Sequence, residues 1–160
     1  MSPVVRFATA DDFPSLAEVQ RKSVDACLRP LYDSGAIDLW IERLTPTKFE
    51  KVVSTGEAVF CAVADGRVVG FSSCHPELCV LGMWYVDPDW IGKGIGTLLL
   101  ARAEAHLASA GCKVATTEAS LFAEPRFVAL GWSIVEQVEK RAFGGTMRVI
   151  RMEKVLSPSS

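Results

Sequence analysis

The stretch from Leu78 to Leu100 constrains the fold more than any other part of this chain. It opens with an almost continuously apolar run, LCVLGMWYV (78–86), stops at Asp87-Pro88-Asp89, and then sets Gly92, Gly94 and Gly96 before a helical pattern. An apolar run of this kind predicts a central strand covered on both faces. Ile95, Leu99, Ala103, Leu107 and Ala110 recur at helical spacing, and Gly111 is a natural stop. A strand therefore feeds a helix through a glycine turn. Glycines let the backbone approach a ligand closely and take positive φ. The free N–H groups of the first helical turn, with the helix dipole, favour an anion there. Lys93 adds a positive charge at the mouth. A P-loop is excluded, because no Gly-Lys is followed by Ser or Thr. A dinucleotide fingerprint is excluded too, since the sixth position is Thr97 counted from Gly92 and Leu99 counted from Gly94. A glycine turn that serves packing alone stays open on these residues.

The rest of the chain alternates between two periods. Val4 to Ala8 predicts a strand, followed by a helix with Thr9 as N-cap and an acid at its third position, running toward Pro30. Tyr32 to Leu44 is a second helical segment, and Thr45-Pro46 restarts a helix to about Val53. From Ala58 the pattern becomes extended: AVFCAVA, the turn Asp65-Gly66, then RVVGFSSC is a hairpin. Lys113 to Ala119 predicts a strand, Ala123 to Leu130 a short helix, and Trp132 to Val138 and Met147 to Val155 two closing strands. The order is taken as β-α-α-β-β-β-α-β-α-β-β, an α/β fold with one mixed sheet. A single domain is expected over residues 1–156, with a disordered tail at 157–160.

Composition removes whole classes of function. The chain has 160 residues, 17 Lys+Arg against 19 Asp+Glu, and a net charge of −2. That balance argues against a nucleic-acid binder, whose basic face shows in the totals. No stretch approaches the ~18 apolar residues of a membrane span, and no signal peptide is visible at the start. The five cysteines, Cys27, Cys61, Cys74, Cys79 and Cys112, form no CxxC pair and lie in apolar segments, where free thiols pack as small hydrophobes. No metal-ligand spacing appears, so no metal is expected. A soluble protein of a reducing, cytoplasmic compartment is the expectation.

The segment Ile91-Gly92-Lys93-Gly94-Ile95-Gly96 resembles the pyrophosphate-binding motif of the GNAT (N-acetyltransferase) superfamily, [QR]xxGxG[AG]. The resemblance spans nearly the whole chain. ADDFPSLAEV is similar to the family's opening helix, AVADGRVVGFSSC to its central hairpin, EASLFAEPRFVALGW to its NxxAxxFYxxxGF segment, and RMEKVL to its last strand. It implies a mostly antiparallel sheet flanked by helices. It also implies acetyl-CoA as co-substrate and direct acetyl transfer to a primary amine of a small molecule or peptide. Ile91, Gly92, Lys93, Gly94, Ile95, Gly96 and Thr97 would then hold the pyrophosphate. Trp84, Tyr85 and Val86 would pair with the pantetheine arm in a gap between two splayed strands, and Ser120 and Phe127 would flank the thioester.

Three positions depart from the family pattern. Ile91 replaces Gln or Arg, Ser120 stands where Asn is common, and Phe127 stands where the family often has a tyrosine acid. The alternative function is accordingly a non-catalytic acyl-CoA-binding or sensing module. Acetyl transfer also needs a base, because an ammonium with pKa ≈ 10.4 is no nucleophile. The places where the family often carries a strand carboxylate are Val80, Leu81 and Gly82 here, and none accepts a proton. Glu77 is the first candidate, against a solvated turn beside Pro76. Glu118 on the opposing strand is another, against pairing with Lys113 or Arg126. His75, Tyr32 or Tyr85 acting through water, and a water chain complete the set. His106 is read as a core or edge residue. Tyr32 and Trp40 fall in the region that lines the family's acceptor site, with core packing or a homodimer contact as the other reading.

Overall fold

Asp65 and Gly66 both take positive φ (51° and 76°), so the predicted hairpin closes through a two-residue turn with Ala64 opposite Arg67. Such a turn matches the natural twist of its strands. Around this hairpin, in the computed structural model, which describes residues 2–156, a seven-stranded sheet is built in the order β1-β2-β3-β4-β5-β7-β6. Its strands are β1 (Val4–Phe7), β2 (Ala58–Ala64), β3 (Arg67–His75), β4 (Val80–Val86), β5 (Val114–Ala119), β6 (Ser133–Ala142) and β7 (Gly145–Val155). All neighbours are antiparallel except β4 and β5. The tail expected at 157–160 lies outside the described residues.

Helices cover both faces. On one, α1 (Phe13–Ser23) and α3 (Thr47–Ser54) seat Phe13, Leu16, Val19 and Phe49 against Val59, Cys61 and Phe71. On the other, α4 (Ile95–Ser109) packs Leu100, Ala103 and Leu107 on Phe60, Leu81 and Ala115. The acid predicted near the first helix start acts as expected: Asp12 accepts the Thr9 N–H at 2.7 Å. It also takes a two-armed bond from Arg6, which draws its carboxyl down to about 2.

The structure corrects several expectations. Three separate helices precede β2 where the expected order has two: Asp33 caps α2 (Ser34–Glu42) by accepting the Ala36 N–H, and α3 begins after Thr45-Pro46, where the sequence places its restart. The first helix widens after Ser23 into a π turn, Val24–Leu28, and ends in a 3₁₀ turn at Arg29–Leu31. Strand β4 starts at Val80, with Leu78 66% exposed, and Gly82 is also exposed. Its apolar run is not enclosed on both faces, because half of it faces cavities. Strands β6 and β7 extend further than expected and meet at a turn of Phe143 and Gly144, both with positive φ.

Two of the five cysteines are not free. Cys79 and Cys112, 33 residues apart, form a disulfide. The reason is the crossover: α4 runs back against β4, so its C-terminal end arrives beside the start of that strand. Cys27, Cys61 and Cys74 remain thiols. Burial pushes Cys61 up to about 11 and Cys74 up to about 12, so neither is a nucleophile near neutral pH.

Candidate active site

Gly92 and Gly94 have φ of 85° and 82°, and a Cβ built on either would meet nothing within 4 Å. Packing therefore does not explain them. They supply backbone geometry and leave open space above the loop. Gly94 is the N-cap of α4, no side chain caps that end, and no acid stands in its first turn. The first N–H groups of a helix have no intrahelical partner, so this end is suited to an anion. Gly96 is different. A Cβ there would lie 3.5 Å from the Trp84 ring, and its carbonyl accepts the Trp84 Nε1–H at 2.9 Å. The packing reading thus fits Gly96 and fails at Gly92 and Gly94. Lys93 sits 5.0 Å over the Trp90 ring, and the Ile95 side chain is buried in the core, leaving only its backbone for a ligand.

The second feature is a gap in the sheet. Strands β4 and β5 pair only at Val80 opposite Thr116, and Thr117 Oγ1 then donates to the Leu81 carbonyl at 2.9 Å. Beyond that point the strands part, and the edge of β4 from Gly82 onward has no strand partner on that side. A free strand edge can take an extended ligand as an added strand.

Two cavities open on this gap. The first, about 280 Å³, runs from Gly92, Gly94 and Thr97 past Val86 and also touches Ile91 and Gly96. Its far wall holds Arg126, whose guanidinium lies 3.6 Å from the Phe122 ring and donates to the Phe122 carbonyl at 2.7 Å. Arg126 went unnoticed as a binding residue because nothing in a short helical segment says which face meets a cavity. The second cavity, about 370 Å³, is lined by Tyr32, Trp40, Gly82, Glu118, Phe127 and Phe143, among others. Trp84, Tyr85, Ser120 and Ala123 line both, so the two cavities adjoin. Ser120 Oγ accepts the Ala123 N–H at 3.1 Å. Phe127, 2% exposed, packs between Trp84 and Trp132.

The other sequence candidates separate by position. Glu77 is exposed in the turn after β3 and lines neither cavity. Glu118 accepts from Lys140 at 2.6 Å and lies 3.7 Å from Arg151, instead of pairing with Lys113 or Arg126. Tyr32 donates its O–H to the Arg148 carbonyl and accepts the Leu121 N–H, so both sides of its oxygen are engaged. Burial pushes the Tyr85 hydroxyl up to about 12, which keeps it neutral at pH 7. His75 Nε2 bonds the Thr55 carbonyl, and His106 lies edge-on to Phe60 and Phe7. Among the described residues no group of three or more His, Cys, Asp or Glu side chains is placed to hold a metal ion. Nor is any helix long and apolar enough to cross a membrane.

Residues 26–132 match the model of the acetyltransferase (GNAT) family. The chain belongs to that family. GNAT membership makes it an acetyltransferase with acetyl-CoA as its acyl donor. Among curated proteins it is 27% identical to the aminoglycoside N(6')-acetyltransferase type 1 of Stenotrophomonas maltophilia, over 99% of this chain and 97% of that one. Among solved structures, a GCN5-related N-acetyltransferase from Rhodopseudomonas palustris superposes with a TM-score of 0.89 at 24% identity, covering 98% of this chain and 97% of its own. The PaiA N-acetyltransferase of Thermoplasma acidophilum, solved with coenzyme A, superposes at 0.80 and 22% identity, covering 97% and 99%. The GNAT fold, a mixed and mostly antiparallel sheet flanked by helices, is thus the fold of this protein.

Proposed function

We propose that this GNAT enzyme moves the acetyl group of acetyl-CoA directly to a primary amine of a small molecule or peptide. The observation that carries the reading is the junction of the two cavities at Trp84, Tyr85 and Ser120. One leads to the glycine loop and the other away from it, as donor and acceptor would require. The residues present fit the donor. Backbone N–H groups from Gly92 to Thr97 hold the pyrophosphate, aided by the charges of Lys93 and Arg126. The free edge of β4 at Trp84–Val86 pairs with the pantetheine arm. Holding two reactants in line supplies several kcal/mol of the barrier, and a backbone N–H of β4 is suited to meet charge on the thioester oxygen.

Acetyl-CoA supplies an activated thioester whose thiolate, at a thiol pKa near ~8.5, leaves readily. Phe127 in place of an acid therefore does not bar turnover. The apolar faces of Trp40 and Phe143, stacked at 5.2 Å, suit the carbon skeleton of an acceptor. The similarity to an aminoglycoside acetyltransferase favours an amine-bearing small molecule. The test is thiol release from acetyl-CoA with a panel of aminoglycosides, polyamines and amino-acid amides. Release that depends on the amine is expected. Tight CoA binding by calorimetry with no amine-dependent release would instead identify a non-catalytic acyl-CoA-binding module.

A further inference from the structure

Opposite Ser73, strand β4 carries an extra residue. Cys74 pairs with Leu81 and Ser72 with Trp84, so Gly82 and Met83 together face one residue of β3. A side chain at 82 has no room. A Cβ built on Gly82 would lie 2.6 Å from Ser73 Oγ and 2.7 Å from Glu57 Oε2. The space beside this bulge is already filled by a carboxylate delivered from the residue just before β2. Ser73, fully buried, fixes it: its hydroxyl donates to Glu57 Oε2 at 2.5 Å and accepts the Met83 N–H at 2.7 Å. Gly82 itself lines the second cavity.

We propose that Glu57 is the group that takes the proton from the acceptor amine in this enzyme, reaching the acceptor cavity over Gly82. This rests on the amine-transfer reading given above. Glu77 is exposed in the turn after β3, and Glu118 is held by Lys140 and Arg151. Glu57 lines neither cavity itself, but its carboxylate lies against Gly82, which lines the second. Glu57 enters no ion pair within 4.0 Å among the described residues, and its other oxygen, Oε1, accepts from no described protein group. Lys48 of α3 is near enough to feel the Glu57 charge. Burial pulls the Lys48 ammonium down to about 8, with Glu57 acting in the opposite direction. Lys48 also donates to Gln20 of α1 at 2.9 Å.

One ammonium proton passes to the free carboxylate oxygen, directly or through one water. The freed lone pair forms the C–N bond as the C–S bond breaks and the sulfur leaves as thiolate. The second proton lost by nitrogen ends on that sulfur, and Glu57 returns its own proton to solvent.

The decisive experiment compares Glu57→Gln with the native enzyme on two acceptors of matched skeleton, an alkylamine from the panel and an alkoxyamine that is already neutral at pH 7. Glutamine keeps the bond to Ser73, and unchanged melting and CoA affinity by calorimetry verify the fold. A positioned base contributes ~10²–10⁴-fold, so kcat/KM on the alkylamine should fall at least ~10²-fold. On the alkoxyamine the loss should stay below ~10-fold, since no ammonium has to be deprotonated. The acidic limb of the alkylamine pH profile should flatten. The titratable groups that feel the Glu57 charge are Lys48 from α3 and Cys74 from β3, with His75 of β3 beside the neighbouring Gly56. Lys48→Met and His75→Gln should therefore keep that limb. Equal losses on both acceptors, or no loss on either, would overturn the assignment of Glu57 while leaving amine transfer intact. A native enzyme that acetylates no amine would overturn the transfer reading first, and Glu57 with it.

Discussion

The two cavities are built in opposite ways. The donor side draws mainly on one continuous stretch, Trp84 to Thr97, with Arg126 on its far wall, and offers mostly backbone: a free strand edge, two glycines at positive φ, and an uncapped helix end. The acceptor side gathers side chains from distant places: Tyr32 and Trp40 before β2, Met83 on β4, Glu118 on β5, and Phe143 at the β6–β7 turn. A site made of backbone is tied to one local conformation, and that conformation can be written in a short motif. A site made of converging side chains depends on every element that carries them. The donor half should therefore fail through local geometry, and the acceptor half through loss of docking contacts.

The largest effect is expected at Gly94→Val. A branched side chain at a φ of 82° distorts the first turn of α4 and fills the open space above the loop. Losing two or more charge-assisted backbone bonds corresponds to a ~10³-fold weaker CoA affinity, at ~1.4 kcal/mol per tenfold. Calorimetry on the folded variant measures it. Unchanged affinity would mean that the donor side does not bind through its backbone.

Next comes the covalent tie across the base of the donor half. The disulfide closes a loop of 33 residues between the start of β4 and the end of α4. By chain entropy a loop of that length contributes about 3–4 kcal/mol of stability. Urea unfolding with and without reductant, and of Cys112→Ser, should show a loss of that order, with CoA affinity altered less than threefold. A large loss of CoA affinity instead would show that the donor loop relies on this tie, and that the contrast between the halves is weaker than drawn.

The smallest effect is at Tyr32→Phe. The Tyr32 oxygen links the first helical region to the Leu121 N–H and the Arg148 carbonyl, 2.9 and 2.7 Å away. Deleting it should cost about 1–2 kcal/mol and leave the Leu121 N–H without its partner. Steady-state kinetics should place the effect in the KM of the acceptor, not of acetyl-CoA. A rise in the acetyl-CoA KM alone would reverse the assignment of the two cavities.

The same contrast explains what could be read before any coordinates. The Asp65-Gly66 turn and the Gly92–Gly96 loop were legible because each is a local demand for positive φ that few residues meet. The spacing of Leu99, Ala103 and Leu107 marked α4 for the same kind of reason. Glu57 was invisible as a site residue. It is a single acid at the start of a strand, and its partners lie 16 and 25 residues on, at Ser73 and Gly82. Glu77 drew attention through closeness in sequence to β4, which a turn does not convert into closeness to a cavity. The Cys79–Cys112 bond was equally hidden, since only the return of α4 along β4 brings the two sulfurs together.

Residue order thus settled most of which segments become strands and helices, and where the chain turns at Asp65-Gly66 and through the glycines before α4. Each of these follows from forces acting over a few neighbouring residues. The parting of β4 from β5, the carboxylate lodged over Gly82, and the seat of the Phe143 turn on Trp40 belong to the folded molecule alone. They arise where segments far apart in sequence compete for the same space, and packing decides which side chains end in a cavity.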